Sequence, residues 1–520
     1  MRSAILCLSI CAAAGPAFTA SCDDLAKLSL PDTTISGASL TPAGAFTPPA
    51  GPPLPNLPEF CRVTLVLKPS SDSHIEAEVW LPSSNWTGKF QLAGNGGFAG
   101  SISYAGMAAV LRRGYATAST DTGHKAGGTD ASWALDHPEK IVDFGHRAIH
   151  ETTVKAKALV KAFYGESPKR SYFDSCSNGG RQALMEAQRY PEDFDGIIAG
   201  APAYYWTHLL SMAVADTQAL TMDSGSFIPA RKLPAIQAAA LAACDADDGV
   251  KDGVIENPPQ CHFDPSPLLC KGEDNDTCLT APQLAALKKI YAGPRTSDGK
   301  QIAPGYSPGA EAGAGGWAAW ITGAAPGQSL MYAFGTNFFR NMLFNSSGWD
   351  YKTFVLDRDV ALADNKMAPI LNATDADLKK FHDRGGKLIL YHGWNDAAIP
   401  GQFTVEYYQR VLKKMSAKSA NSFVRLYMVP GMQHCGGGDG PSVFGQVSSG
   451  QGDALHDVEK AMERWVEEGA APQQIIAAKY KSGANPASGV VRTRPLCPYP
   501  QTAHWNGSGS TDDAANFVCK

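Results

Sequence analysis

Tyr172-Phe173-Asp174-Ser175-Cys176-Ser177-Asn178-Gly179-Gly180 carries the chain from an apolar, aromatic run through small residues into a glycine pair. Tyr172 to Ser175 predicts a strand, and Gly179 to Tyr190 predicts the helix that follows it. Small residues around Ser177 permit a tight strand-to-helix turn that exposes the serine oxygen. A hydroxyl is a weak nucleophile, so it needs a base within hydrogen-bond reach and a third group to hold that base. The usual turn of this type has Gly two residues before the serine, where this chain has Ser175.

Outward from that turn, further strands are predicted at Arg62 to Leu67, Ile75 to Leu81, Lys89 to Ala93, Gly114 to Ser119, Asp195 to Ala201, Lys387 to His392 and Phe423 to Val429. Helices are predicted at Asp143 to Phe163, Asp375 to Arg384, Phe403 to Met415 and Asp453 to Glu468. Strands alternating with helices point to an α/β fold with a mostly parallel sheet covered on both faces. Residues 41–58, rich in Pro, Gly and Ala, are expected to wrap the surface without regular structure. Between about 204 and 372 the alternation stops, and Cys, Gly, Pro and clustered aromatics replace it. That stretch reads as a lid domain inserted into a catalytic domain made of residues 21–203 and 373–520.

Two more strand ends supply the partners a nucleophilic serine requires. Leu388-Ile389-Leu390-Tyr391-His392-Gly393-Trp394-Asn395-Asp396 ends on a carboxylate, and Leu426-Tyr427-Met428-Val429-Pro430-Gly431-Met432-Gln433-His434 ends on an imidazole. In parallel sheets the functional loops lie at these carboxyl ends. The order Ser177, Asp396, His434 is the one used by hydrolases with a serine elbow, with His434 as base and Asp396 as its orienting acid. An Asp past a strand is otherwise often a helix cap, and a loop His often surface decoration. By position, the N–H of Asn178 is one donor for an oxyanion, and the Gly94-Asn95-Gly96-Gly97 turn offers the other. His392 and Trp394, beside Asp396, are expected to form pocket walls.

Composition narrows the setting. A net charge of -5, with 18% charged residues and scattered Lys and Arg, gives no footprint for nucleic acid or an anionic membrane. No stretch after the first residues is apolar enough to span a bilayer. Arg2 followed by the apolar run Ala4 to Ala14 and small residues up to Ala20 reads as a signal peptide, residues 1–20, of a secreted (extracellular or periplasmic) protein. Lipidation at Cys22 is the alternative, weakened by Thr19. Of 12 cysteines, Cys7 and Cys11 leave with the signal. Spacing suggests the pairs Cys22 with Cys61, Cys244 with Cys261, Cys270 with Cys278 and Cys497 with Cys519, although sequence does not fix connectivity. Cys176 and Cys435 are left over, each adjoining a candidate catalytic residue.

Cys-Ser before Gly-Gly, Asn-Asp after a strand, and His-Cys near the end resemble the tannase and feruloyl esterase family over nearly the whole mature chain. The chain is also similar to the bacterial hydrolase of mono(2-hydroxyethyl) terephthalate in that family. The resemblance implies an α/β-hydrolase core, a large lid, a Cys176–Cys435 bridge, the four local bridges, and Gly97 as the second oxyanion donor. Unaided, the loop Asp245 to Val254 is either a solvated acidic turn or a hard-cation site. The resemblance implies a structural Ca²⁺ held by Asp245, Asp248 and Asp252 and by the carbonyls of Val250 and Val254.

The expected activity is hydrolysis of aromatic-acid esters, with feruloyl esters of plant cell-wall polysaccharide ranked before galloyl esters and terephthalate monoesters. A silent phenolic-binding module and an acyltransferase are the readings from other classes. Trp317, Trp320, Phe338 and Phe339 are candidates for sandwiching an aromatic ring, and Arg340 for meeting a carboxylate. The sequence leaves the oligomeric state open.

Overall fold

The computed structural model describes residues 20–448 and 452–520; the expected signal peptide falls almost wholly outside them. Nine strands form one sheet: β1 (Thr33–Thr41), β2 (Phe60–Leu67), β3 (Ile75–Pro82), β4 (Lys89–Ala93), β5 (Ala116–Thr120), β6 (Arg170–Cys176), β7 (Gly196–Gly200), β8 (Lys387–Gly393) and β9 (Val424–Val429). Their spatial order is β1-β2-β3-β5-β4-β6-β7-β8-β9. From β5 onward every neighbouring pair is parallel, while β1, β2 and β3 add an antiparallel edge. All residues of β5 and β7 are buried, the pattern of strands covered on both faces.

Helices α2 (Ala148–Tyr164), α3 (Asn178–Arg189), α4 (Trp206–Thr221) and α5 (Gln402–Met415) join a core that includes Phe90, Leu184, Leu388 and Leu426, while α1 (Tyr104–Arg112) and α6 (Val458–Glu468) pack into smaller clusters with Trp80 and with Tyr391 and Tyr427. The stretch between β7 and β8 contains no strand among the described residues. It does not form a separate core: Phe98 and Phe144 pack on Trp206 of α4 at 5.6 and 5.5 Å between ring centroids.

Several expected boundaries shift for local reasons. Residues 41–58 are not wholly irregular, since Gly44–Phe46 pairs with Leu54–Leu57. The helix expected over 375–384 shrinks to Lys379–Asp383, because Asp375 and Asp377 accept the N–H groups of Asp377 and Lys379 and hold turns there instead. α6 starts at Val458 and not Asp453; Asp457 is the cap, accepting from Glu459 and Lys460. The helix expected from Asp143 begins as a π-helical turn, Asp143–Arg147.

Among the described residues, five disulfides join Cys22 to Cys61, Cys176 to Cys435, Cys244 to Cys261, Cys270 to Cys278 and Cys497 to Cys519. With Cys22 bonded, no thiol remains there for a lipid.

Candidate active site

The register Ala93 with Asp174, Cys176 with Gly200 and Gly393 with Val429 aligns the carboxyl ends of β4, β6, β7, β8 and β9. The loops from those ends therefore meet at one edge. Ser177 sits between β6 and α3 with φ 67° and ψ -127°. That conformation costs a non-glycine residue about 1–3 kcal/mol, and crowding around the turn enforces it. A Cβ on Gly179 would lie 1.9 Å from Ser175 Oγ, and one on Gly180 would lie 2.3 Å from the Gly200 carbonyl oxygen. Both glycines are therefore required by close approach.

His434 Nε2 lies 2.9 Å from Ser177 Oγ, and its Nδ1 lies 2.8 Å from Asp396 Oδ2. Asp396 is buried, and its Oδ1 accepts the N–H groups of Ala398 and Ile399 at 2.8 and 2.9 Å. Burial pushes its carboxyl up, but the imidazoles of His434 and His392 outweigh this and hold it well below the usual carboxylate range. The Cys176–Cys435 bridge, with Cα atoms 6.0 Å apart, links the neighbours of Ser177 and His434 directly.

The two residues expected to supply oxyanion donors, Gly97 and Asn178, line the same cavity as Ser177. Asn178 is the first residue of α3, so its N–H has no acceptor within the helix. Gly97, at φ 56°, lines the same cavity, and a Cβ there would lie 2.3 Å from the Gly128 carbonyl oxygen. The Gly-rich turn is tied to α3 by paired amides: Asn95 N–H donates to Gln182 Oε1 at 3.0 Å, and Gln182 Nε2 donates to Asn95 Oδ1 at 3.2 Å.

A cavity of about 430 Å³ opens over Ser177 and His434, walled largely by Trp206, Leu209, Leu210, Trp320, Met331 and Phe334. No Asp, Glu, Lys or Arg lines it among the described residues. Trp320 meets the His434 ring edge-on at 5.0 Å.

His392 and Trp394 do not line this cavity. His392 is fully buried behind Asp396, with Nε2 at 3.1 Å from Asp396 Oδ2 and 2.9 Å from the Ile399 carbonyl oxygen, and Nδ1 at 2.7 Å from Thr404 Oγ1. Nε2 faces only acceptors, so it carries the proton. Trp394 faces a different cleft, beside Met428 and Tyr499. Local bonds and position explain both: His392 is turned beneath Asp396 by its contacts with Thr404 and the Ile399 carbonyl, and Trp394 lies one residue past the end of β8, where it turns into the other cleft. Trp317 packs on Tyr291 and Tyr306, Phe338 and Phe339 are fully buried, and Arg340 donates to the Trp349 carbonyl, which leaves Trp320 as the cavity wall of that group. Trp206, Leu209 and Phe334 were not singled out from the sequence, because nothing in a helical apolar stripe tells cavity wall from core.

In the acidic loop, Asp245 accepts the N–H groups of Asp252, Gly253 and Val254. Asp252 pairs with Arg492 and Arg494. Burial raises the carboxyls of Asp248 and Asp252, and their acidic neighbours raise them further. Glu256, not anticipated from sequence, lies beside them, and desolvation of its half-buried carboxyl pushes it up to about 8. A dication would relieve this charge, but Asp245 and Asp252 are turned toward amides and arginines, so they would have to swing to ligate one.

Comparison with known proteins identifies the family and fold. The family profile described as tannase and feruloyl esterase matches residues 61–520. An uncharacterized esterase of Xanthomonas campestris is 47% identical, with 96% of this chain and 91% of that protein aligned. A probable feruloyl esterase B-2 of Aspergillus terreus is 35% identical over 97% of this chain and 95% of its own length. The solved structure of feruloyl esterase B from Aspergillus oryzae superposes with a TM-score of 0.88 at 33% identity, covering 96% of this chain and 99% of that one.

Proposed function

The chain belongs to the tannase and feruloyl esterase family and is a carboxylic ester hydrolase with an α/β-hydrolase fold, and from that premise we propose that it is a secreted serine esterase acting on feruloyl esters. The contiguous hydrogen bonds Ser177–His434–Asp396 carry the catalytic assignment. Ser177 Oγ attacks the ester carbonyl while His434 Nε2 takes its proton, and Asp396 stabilises the resulting imidazolium. The N–H groups of Gly97 and Asn178 hold the tetrahedral oxyanion. His434 then protonates the departing alcohol, and water, activated by the same base, releases the acid.

The cavity supports the choice of acyl group. A flat methoxylated ring suits walls such as Trp320 and Phe334, whereas a second carboxylate, as in a terephthalate monoester, would be desolvated there without a cationic partner. Residues 204–372, which supply Trp206, Trp320 and Phe334, act as the lid on a catalytic domain of residues 21–203 and 373–520. Secretion is supported by the leader-like start and the five disulfides. No described helix is long and apolar enough to cross a membrane. A structural Ca²⁺ held by Asp245, Asp248, Asp252 and the carbonyls of Val250 and Val254 would neutralise the buried acidic loop.

Hydrolysis of methyl ferulate, methyl gallate and a terephthalate monoester by one preparation tests the substrate, with the highest kcat/KM expected for ferulate. A fluorophosphonate should label Ser177, and Ser177→Ala should abolish both labelling and turnover. Turnover by Ser177→Ala would overturn the catalytic assignment, and a preference for gallate would overturn the acyl choice.

A further inference from the structure

One turn into the nucleophile helix lies Arg181, fully buried, and among the described residues it has no carboxylate partner. Its guanidinium makes four hydrogen bonds, all to neutral oxygens. Nε donates to Asn178 Oδ1 at 2.9 Å, Nη1 to the Gly145 carbonyl at 2.7 Å and the Leu371 carbonyl at 3.3 Å, and Nη2 to the Phe144 carbonyl at 3.0 Å. The π-helical turn at Asp143–Arg147 presents two of those carbonyls, and the end of the proposed lid segment presents the third. Its faces are covered by the rings of Phe144 and Trp206, 4.7 and 5.1 Å from the guanidinium carbon.

A full charge in such a place is costly unless paired, and removing water makes its field strong. The nearest acid along α3, Glu186, makes no ion pair with Arg181 among the described residues, and burial and Asp193 hold its carboxyl well above its ordinary range. The charged neighbour that does act on Arg181, Arg189, is also cationic; burial and that repulsion together lower the guanidinium to about 9, still protonated at neutral pH. The cation thus lies at the N-terminal end of α3, where the helix dipole is already positive. It holds Asn178, the proposed oxyanion donor, through its side-chain oxygen, and it touches the cavity wall through Trp206.

We infer that Arg181 is a positioning residue whose unpaired charge, held in place by carbonyls, stabilises the oxyanion through Asn178 and through its field. It touches no substrate. In the ground state the ester is neutral and gains little from it; in the tetrahedral state the new negative charge gains most. The inference rests on Ser177 as nucleophile and Asn178 as oxyanion donor.

The test compares Arg181→Gln, which keeps polar contacts and loses charge, with Arg181→Lys, which keeps charge and loses the planar fork. Competent sites are first counted by fluorophosphonate labelling; failure of the wild type to label would sink the nucleophile reading itself, separately from the role of Arg181. Per labelled site, Arg181→Gln should lose kcat by about 10- to 100-fold with KM within twofold. Its affinity for a trifluoromethyl ketone, which adds to serine as an anionic adduct, should fall by the same factor. Arg181→Lys should recover most of both while losing thermal stability. The inference fails if kcat per site in Arg181→Gln stays within threefold of wild type, if ketone affinity is unchanged, or if Lys is no better than Gln. Should Arg181→Gln not fold, Arg181→Lys decides alone: ketone affinity kept within threefold despite a lower Tm supports the inference, and affinity lost in step with stability overturns it.

Discussion

Removing the Cys176–Cys435 bridge should damage catalysis out of proportion to the amount of structure it touches. The bridge spans 259 residues, with Cα atoms 6.0 Å apart, and its two cysteines adjoin Ser177 and His434. In the chain-entropy account, a loop of that length is worth at most about 5.5 kcal/mol of unfolding free energy, and measured effects fall below that ceiling. After its loss, the His434 loop keeps other ties: the Asp396 hydrogen bond, Gly431 N–H to Asn395 Oδ1 at 3.1 Å, and Gln433 Nε2 to the Ala310 carbonyl at 2.8 Å. The chain should therefore fold without it. What it should lose is the fixed 2.9 Å spacing between base and nucleophile. A misplacement of about 1 Å costs roughly 100-fold in rate, or about 2.7 kcal/mol. The assay is kcat/KM on methyl ferulate for Cys176→Ala with Cys435→Ala, beside a Cys270→Ala with Cys278→Ala control that removes a remote bridge. Equal kcat/KM in the two double variants at matched folded fraction would refute the clamp, even with the triad intact.

Four further outcomes are expected. His392→Leu removes one of four donors to Asp396 and strands the Ile399 carbonyl, so stability should fall by about 1–3 kcal/mol and kcat by about tenfold; chemical denaturation and kinetics check this, and an unchanged kcat would show that His392 only fills space. Asp396 has a folded pKa below its unfolded one, so its contribution to stability is present above about pH 4 and is lost as pH falls through the folded value; the acid limb of kcat/KM measured above pH 4 should therefore be unaffected by Asp396 ionisation. Asp248 and Asp252 have raised folded values, so without a cation they cost stability as pH rises through their range, and Ca²⁺ should raise Tm more at pH 7 than at pH 4; equal shifts, or none, would exclude the loop as the site. Trp320→Ala opens the cavity over His434 and should raise KM for methyl ferulate about tenfold or more, with a smaller effect on methyl acetate.

The triad was legible because each member lies just beyond an apolar strand, and parallel strands bring such ends together whatever lies between them. The same logic pointed to Asn178 and to the Gly94–Gly97 turn as proposed oxyanion donors, and the family resemblance singled out Gly97 within that turn. That logic failed for His392 and Trp394, which are near Asp396 in sequence, because bonds to Thr404 and Ile399 bury the first beneath Asp396 and the turn after β8 sends the second into another cleft. It failed also for Trp206, Leu209 and Arg181, whose surroundings depend on how the inserted segment closes over the sheet.

Thus the sequence alone determined the fold class, the order of nucleophile, acid and base, and the turn that exposes Ser177, because these follow from strand periodicity, small residues and short-range sterics. The tertiary structure decided which aromatics wall the cavity, what holds Asp396, and where a buried arginine finds its partners. Those outcomes rest on contacts between elements up to hundreds of residues apart, and local patterns of polarity do not encode which faces will meet.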